Sequence, residues 1–198
     1  MRVLITGTPG VGKTTSCREL SGLLGVRCIE VAALLAGRPF TKWDPYSLTY
    51  DILDVEAARR ALEEEMAGDY IVDTHVLDLI GGDVDYVFVL RKRPDVLFKE
   101  LKGRGWPLHK VVDNVWSEIL DYIYLQAREK WGRIYQIDVT EKSTGQTVDA
   151  MVKCIRGVAC PDDEVDWLQY SLETGLLDKL EAIANRASSR PSSSPRGT

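Results

Sequence analysis

Five short apolar runs punctuate the chain: Val3-Leu4-Ile5, Cys28-Ile29-Glu30-Val31, Tyr70-Ile71-Val72, Tyr86-Val87-Phe88-Val89-Leu90 and Ile134-Tyr135-Gln136-Ile137. Near-continuous apolar runs of this length predict strands of a parallel sheet buried on both faces. Between them the apolar spacing lengthens to three and four residues, which predicts helices. Thr14 to Leu24 carries Cys17, Leu20, Leu23 and Leu24, and Val55 to Ala67 is amphipathic and ends at Gly68. Pro94 to Lys102 opens on a proline suited to a first helical turn, and Val148 to Ile155 reads as a closing helix. Val115 to Trp131 predicts one long helix, with apolar residues at 115, 116, 119, 120, 123 and 124. The alternation of strand and helix predicts an α/β doubly wound fold with its ligand at the strand C-termini. Past this body, Val165, Leu168, Leu172, Leu176, Leu177, Leu180 and Ile183 predict at least one further amphipathic helix, packed on the body. The expected organisation is a domain over 1–157, a helical extension over 158–187 and a disordered Ser/Pro/Arg-rich tail over 188–198.

Composition narrows the field without fixing it. The chain has 198 residues, 44% hydrophobic and 28% charged, which suits one globular domain with a real core. A net charge of −5 argues against naked nucleic acid as the main partner, although a local basic patch can still touch RNA. No run of about 18 apolar residues is present, and the first strand begins at once, so a soluble cytoplasmic protein is expected, nuclear as well in a eukaryote. Cys17, Cys28, Cys154 and Cys160 form no close pair of the CxxC type and are expected to be free core or surface thiols. Zinc at Cys154 and Cys160 would need two more ligands, and the two histidines, His75 and His109, lie far away in sequence.

The strongest chemical signal lies between the first strand and the first helix. Gly7-Thr8-Pro9-Gly10-Val11-Gly12-Lys13-Thr14 fits G-x-x-x-x-G-K-[ST] without mismatch. In such a loop glycines let successive backbone N–H groups turn inward on phosphate oxygens, reinforced by the helix N-terminus. Lys13 is then expected to reach the β- and γ-phosphates of a nucleoside triphosphate, and Thr14 to offer its hydroxyl to Mg²⁺.

The third apolar run ends in Asp73-Thr74-His75. A carboxylate at a strand end beside a phosphate loop suits the orientation of Mg²⁺ or its water shell, which is the role expected of Asp73. His75, two residues on, is expected on the same side, positioning a water or an acceptor phosphate; a structural hydrogen-bonding histidine is the alternative. Arg104 stands between Gly103 and Gly105, which suits a mobile lid carrying a cation to the transferring phosphoryl group. Arg91 is a candidate second cation, while Lys102 and Lys110 read as solvated.

Taken together, LITGTPGVGKTT at Leu4 to Thr15, VDTH at Val72 to His75, FVLR at Phe88 to Arg91, and the RGW lid with DNVWSEI at Asp113 to Ile119 resemble the adenylate kinase isoenzyme 6 family, small adenylate-kinase-like ATPases that also assist ribosome assembly. The resemblance spans about 1–157. It implies a P-loop NTPase with a five-stranded parallel sheet flanked by helices and a short lid at about 103–113. It also implies ATP contacts at Gly10, Gly12, Lys13, Thr14, Thr15 and Arg104, Mg²⁺ with ATP at Thr14 and Asp73, and catalytic roles for Lys13, Asp73, His75 and Arg104. The acceptor region falls at about 28–51, where Val31, Leu34 and Leu35 are candidates for an apolar wall and Arg38 for an acceptor-phosphate contact. Arg38 and Lys42 depart from the family's acidic character there. The implied activity is adenylate kinase, ATP and AMP giving two ADP, with ATPase activity. The implied partner is the small-subunit ribosomal protein uS11, with transient contact to pre-ribosomal RNA and none with membrane. Two alternatives stand beside it: an ATPase assembly switch, and a kinase for a small metabolite, the latter disfavoured because the lid offers mainly Arg104.

Overall fold

The computed structural model describes residues 1–188. Five strands, β1 (Arg2–Gly7), β2 (Arg27–Glu30), β5 (Tyr70–Asp73), β6 (Tyr86–Arg91) and β7 (Tyr135–Asp138), form one sheet in the order β2-β5-β1-β6-β7. All four pairings are parallel, so both sheet faces need helical cover. Alternation along β1 decides which residue serves which face. Val3 and Ile5 join a core containing Cys17, Leu20, Leu97, Val115 and Met151, whereas Leu4 joins the opposite core with Val31, Leu62 and Ile123. The first face is covered by α1 (Lys13–Leu24), α4 (Pro94–Gly103), α5 (Leu108–Ile119) and α7 (Thr144–Ile155); the second by α2 (Val31–Leu35), α3 (Val55–Glu65) and α6 (Tyr122–Trp131). The expected five-stranded parallel α/β fold is therefore present.

Three expectations need correction. The single helix over Val115 to Trp131 is two helices, because α5 packs on one face of the sheet and α6 on the other. The chain changes layers at Asp121, whose left-handed φ of 56° is a conformation that a short polar side chain tolerates. The region 28–51 contains an unforeseen antiparallel hairpin, β3 (Thr41–Asp44) with β4 (Thr49–Ile52), pairing Trp43 with Tyr50. Its tip is fixed by the Asp44 carboxylate, which accepts from the N–H groups of Tyr46 at 3.0 Å and Ser47 at 2.9 Å. The cysteines are not free thiols: Cys17 is bonded to Cys28 and Cys154 to Cys160. Sequence spacing hides both pairs because one is assembled by a helix returning to a strand and the other by a turn after α7.

The C-terminal segment forms two helices, α8 (Trp167–Glu173) and α9 (Leu176–Ser188), separated at Gly175 with φ 64°. Leu180 is fully buried in the first core. Before α8, Asp163 reaches the edge strand: its carboxylate accepts from the Asp138 N–H at 2.9 Å and from Lys142 Nζ at 2.8 Å. This covers an edge that would otherwise present open backbone groups. The expected disordered tail lies outside the described residues except for Ser188, which ends α9. No helix among the described residues is long and apolar enough to cross a membrane.

Candidate active site

β1 is the middle strand, and the loop leaving its C-terminal end runs straight into α1. Gly10 adopts φ 99°, a left-handed conformation that favours glycine, and a Cβ there would oblige the buried Leu101 side chain to shift. Gly12 adopts φ 109° and N-caps α1 without any side-chain cap, leaving the first-turn N–H groups available to an anion. Lys13 is buried, 7% exposed, and its Nζ donates to the Thr8 carbonyl at 3.1 Å. Burial lowers its pKa to about 8, opposed by the attraction of Asp73 and Glu118. Thr14 sits half-buried beside the loop, whereas Thr15 is exposed on the first turn of α1.

Asp73 ends β5 in register with Ile5, so the carboxylate is delivered next to the loop. It is 7% exposed, and the Thr14 hydroxyl donates to its Oδ2. Burial raises the Asp73 pKa, against the opposing pull of Lys13 and the Thr14 hydrogen bond. Lys13, Thr14, Asp73 and His75 all line one cavity of about 600 Å³. The rest of its wall includes Val31, Leu35, Trp43, Tyr50 and Trp106. Burial, with Lys13 and Lys110 adding to it, lowers the His75 pKa to about 4, so the imidazole is neutral across the physiological range. Among the described residues no group of three or more His, Cys, Asp or Glu side chains is arranged to hold a metal. The Thr14 and Asp73 oxygens do meet, however, which suits Mg²⁺, a cation that takes one or two protein oxygens and completes its shell with phosphates and water.

The segment expected as a lid, 103–113, is the end of α4, a turn at 104–107 and the first turns of α5. Arg104 lies over the loop, with a guanidinium nitrogen 3.5 Å from the Gly10 carbonyl oxygen and 3.6 Å from Glu100, its side chain 50% exposed. Lys110 is not simply solvated: its Nζ sits 4.2 Å from the Trp106 ring centroid. The hairpin tip meets this elbow, the rings of Tyr46 and His109 stacking at 3.8 Å and His109 Nε2 lying 2.9 Å from the Tyr46 carbonyl. Arg91 is no cation for the cavity. It is 2% exposed, and its guanidinium is bound by Glu118 Oε1 at 2.8 Å, Gln136 Oε1 at 2.7 Å and Asp121. Nor does Arg38 line the cavity; it is exposed, its Nε donating to the Leu34 carbonyl at 3.2 Å, while Leu34 packs partly buried against the second core. Sequence reasoning misses Trp43, Tyr50 and Glu118, the first two because their hairpin leaves no periodic signal. Trp106 and Glu118 fall inside the RGW and DNVWSEI motifs, but nothing in their spacing shows what they touch.

A glycine-rich loop with a buried lysine, placed between the middle strand of a parallel sheet and the helix that follows, defines a phosphate-loop nucleotide-binding fold. Two solved structures share that fold: a gluconokinase from Sinorhizobium meliloti (TM-score 0.52, 15% identity, covering 79% of this chain and 93% of that one) and the YorR protein of Bacillus subtilis (TM-score 0.51, 14% identity, covering 78% and 95%). Residues 3–121 match the family described as "AAA domain". A Pyrobaculum aerophilum protein named "Putative adenylate kinase" is 49% identical over 187 residues, covering 94% of this chain and 96% of its own length. Proteins of the same name from Sulfurisphaera tokodaii (34% over 186 residues, covering 92% and 94%) and Methanocaldococcus jannaschii (33% over 172 residues, covering 85% and 94%) are also similar. The chain belongs to the AAA-domain family and, within it, to the group of archaeal proteins bearing that name.

Proposed function

We propose that this protein is a Mg-ATP-dependent nucleoside monophosphate kinase, taking AMP as acceptor. The observation that carries the reading is one cavity lined both by the polar and charged Lys13, Thr14, Asp73 and His75 and by the apolar or aromatic Val31, Leu35, Trp43, Tyr50 and Trp106. A lining of both kinds suits phosphates at the charged groups and an acceptor base against the apolar, aromatic ones. The names of the archaeal relatives support the same class.

In this reading the loop N–H groups at Gly10 and Gly12, with Lys13, bind the β- and γ-phosphates, and Thr15 stands just behind them. Thr14 and Asp73 are the residues that hold Mg²⁺, which when bound neutralises phosphate charge. An oxygen of the AMP phosphate attacks the γ-phosphorus, the bond from that phosphorus to the β–γ bridging oxygen breaks, and ADP leaves from both sites. Lys13 and Arg104 stabilise charge spreading over the transferring oxygens, so the chemistry is mainly positioning and electrostatics. His75, neutral, orients the accepting phosphate by hydrogen bonding.

The deciding experiment is ADP formation from Mg-ATP with and without each nucleoside monophosphate. The expected result is ADP doubling with consumption of AMP. Slow ADP release indifferent to every acceptor would instead support the ATPase switch, with His75 orienting water; a net charge of −5 suits a basic partner such as uS11 in that case.

A pH dependence follows from Lys13. With its pKa near 8, the nucleotide-free protein loses this proton as pH rises, whereas bound polyphosphate favours the charged form. Affinity is therefore full at about a unit below pH 8 and declines as pH rises through 8. The Kd for Mg-ATP is expected to be about tenfold weaker at pH 9 than at pH 7 by calorimetry. A flat profile across that interval would exclude Lys13 as the titrating contact.

A further inference from the structure

Glu118 is a carboxylate 2% exposed at the heart of the protein, so its partners are what allow it to stay there. Its Oε1 accepts from Arg91 Nε at 2.8 Å, the Lys92 backbone N–H at 3.0 Å and the Trp167 indole Nε1–H at 3.2 Å. Three donors on one oxygen fix the plane of the carboxylate and aim Oε2 at the phosphate loop. There Oε2 accepts from the Thr8 hydroxyl at 2.5 Å. Thr8 is 1% exposed, and its carbonyl in turn accepts from Lys13 Nζ at 3.1 Å. A continuous chain of contacts thus runs from α8 through Trp167, Glu118 and Thr8 to the loop lysine.

We infer that Glu118 is a positioning residue through which the C-terminal helix α8 holds the phosphate loop in its binding geometry. The inference rests on the reading of this loop as the nucleotide site and adds a role for a segment that the site itself does not use. Lys13 needs a fixed stem to present its ammonium to phosphate, and Thr8 supplies that stem only while its own hydroxyl is held. The Thr8 side chain points away from the cavity, toward Glu118, so its effect on nucleotide passes through the loop backbone. Trp167 contributes an N–H that an ordinary packing residue at the same position would lack.

The test uses the full chain, with Mg-ADP as probe and calorimetric Kd as readout. T8V keeps shape and loses the hydroxyl, T8S keeps the hydroxyl, and W167F keeps an aromatic ring and loses the indole N–H. T8V is expected to weaken Mg-ADP about tenfold, W167F about threefold, and T8S less than twofold. The Trp167 indole N–H resonance, assigned by its loss in W167F, is expected to shift on saturation with Mg-ADP in the wild type and to stay in place in T8V. A merely structural contact would lower the melting temperature without that coupling. Wild-type Kd in either T8V or W167F overturns the inference, and W167F decides the matter alone if T8V does not fold. Failure of the wild-type chain to bind Mg-ADP at millimolar concentration would overturn the nucleotide reading itself.

Discussion

Lys13→Ala is expected to lower AMP-dependent ADP formation by ~10³-fold, the scale seen when one preorganised charge-stabilising donor is removed from a phosphoryl or acyl transfer site. The side chain is 7% exposed and already hydrogen-bonded to the Thr8 carbonyl, so it reaches the phosphates without first having to be ordered. A surface lysine would supply the same charge but screened and mobile, at a fraction of the effect. Nucleotide affinity should fall less than turnover, by about 10- to 100-fold, since a charged hydrogen bond in the ground state contributes about 1.5–3 kcal/mol. Two consequences for folding oppose each other: the variant no longer buries an ammonium, but Asp73 loses the cation that most favours its charged form. The melting temperature should therefore move by only a few degrees, and single-turnover rates with saturating ATP separate lost chemistry from lost binding. Turnover within tenfold of the wild type would remove Lys13 from the proposed mechanism.

Much of this arrangement is legible in the sequence because it is built from local signals. The loop is eight consecutive residues, and the strand before it and the helix after it follow from periodicity alone. Asp73 follows from the rule that a parallel strand delivers its last residue to the sheet's C-terminal edge, beside the loop. What stays hidden depends on contacts between distant segments. Arg91 reads as a cation for phosphate because it follows a strand as Asp73 does. Glu118 and Gln136, 27 and 45 residues away, turn it inward instead. The break at Asp121 is invisible to helical periodicity, since the apolar residues on either side keep the same spacing while facing opposite sheet faces. The hairpin escapes for a different reason. Trp43 and Tyr50 are 46% and 36% exposed, so β3 and β4 lack the buried face that creates alternation, and they acquire meaning only as a wall of the cavity.

Asp73→Asn is expected to lower Mg-ATP turnover by about 10²- to 10³-fold and to weaken ATP binding in excess Mg²⁺ while tightening metal-free ATP binding. The asparagine keeps an oxygen able to accept from the Thr14 hydroxyl, so the local hydrogen bond and the shape of the loop survive. It removes a negative charge that has two opposite effects. Toward a cation the carboxylate is a ligand or an anchor for bound water; toward bare phosphates it is a like charge in a buried site. Burial raises its pKa, a cost to the charged form that Lys13 and the Thr14 hydroxyl offset only in part. Measuring ATP affinity in excess Mg²⁺ and in chelator therefore gives a change of opposite sign in the two conditions. A structural aspartate, serving only to tie β5 to α1 through Thr14, would weaken both affinities together or neither. The split in sign distinguishes a residue that works through the metal from one that merely shapes the loop, and equal losses in both conditions would assign Asp73 to the second role.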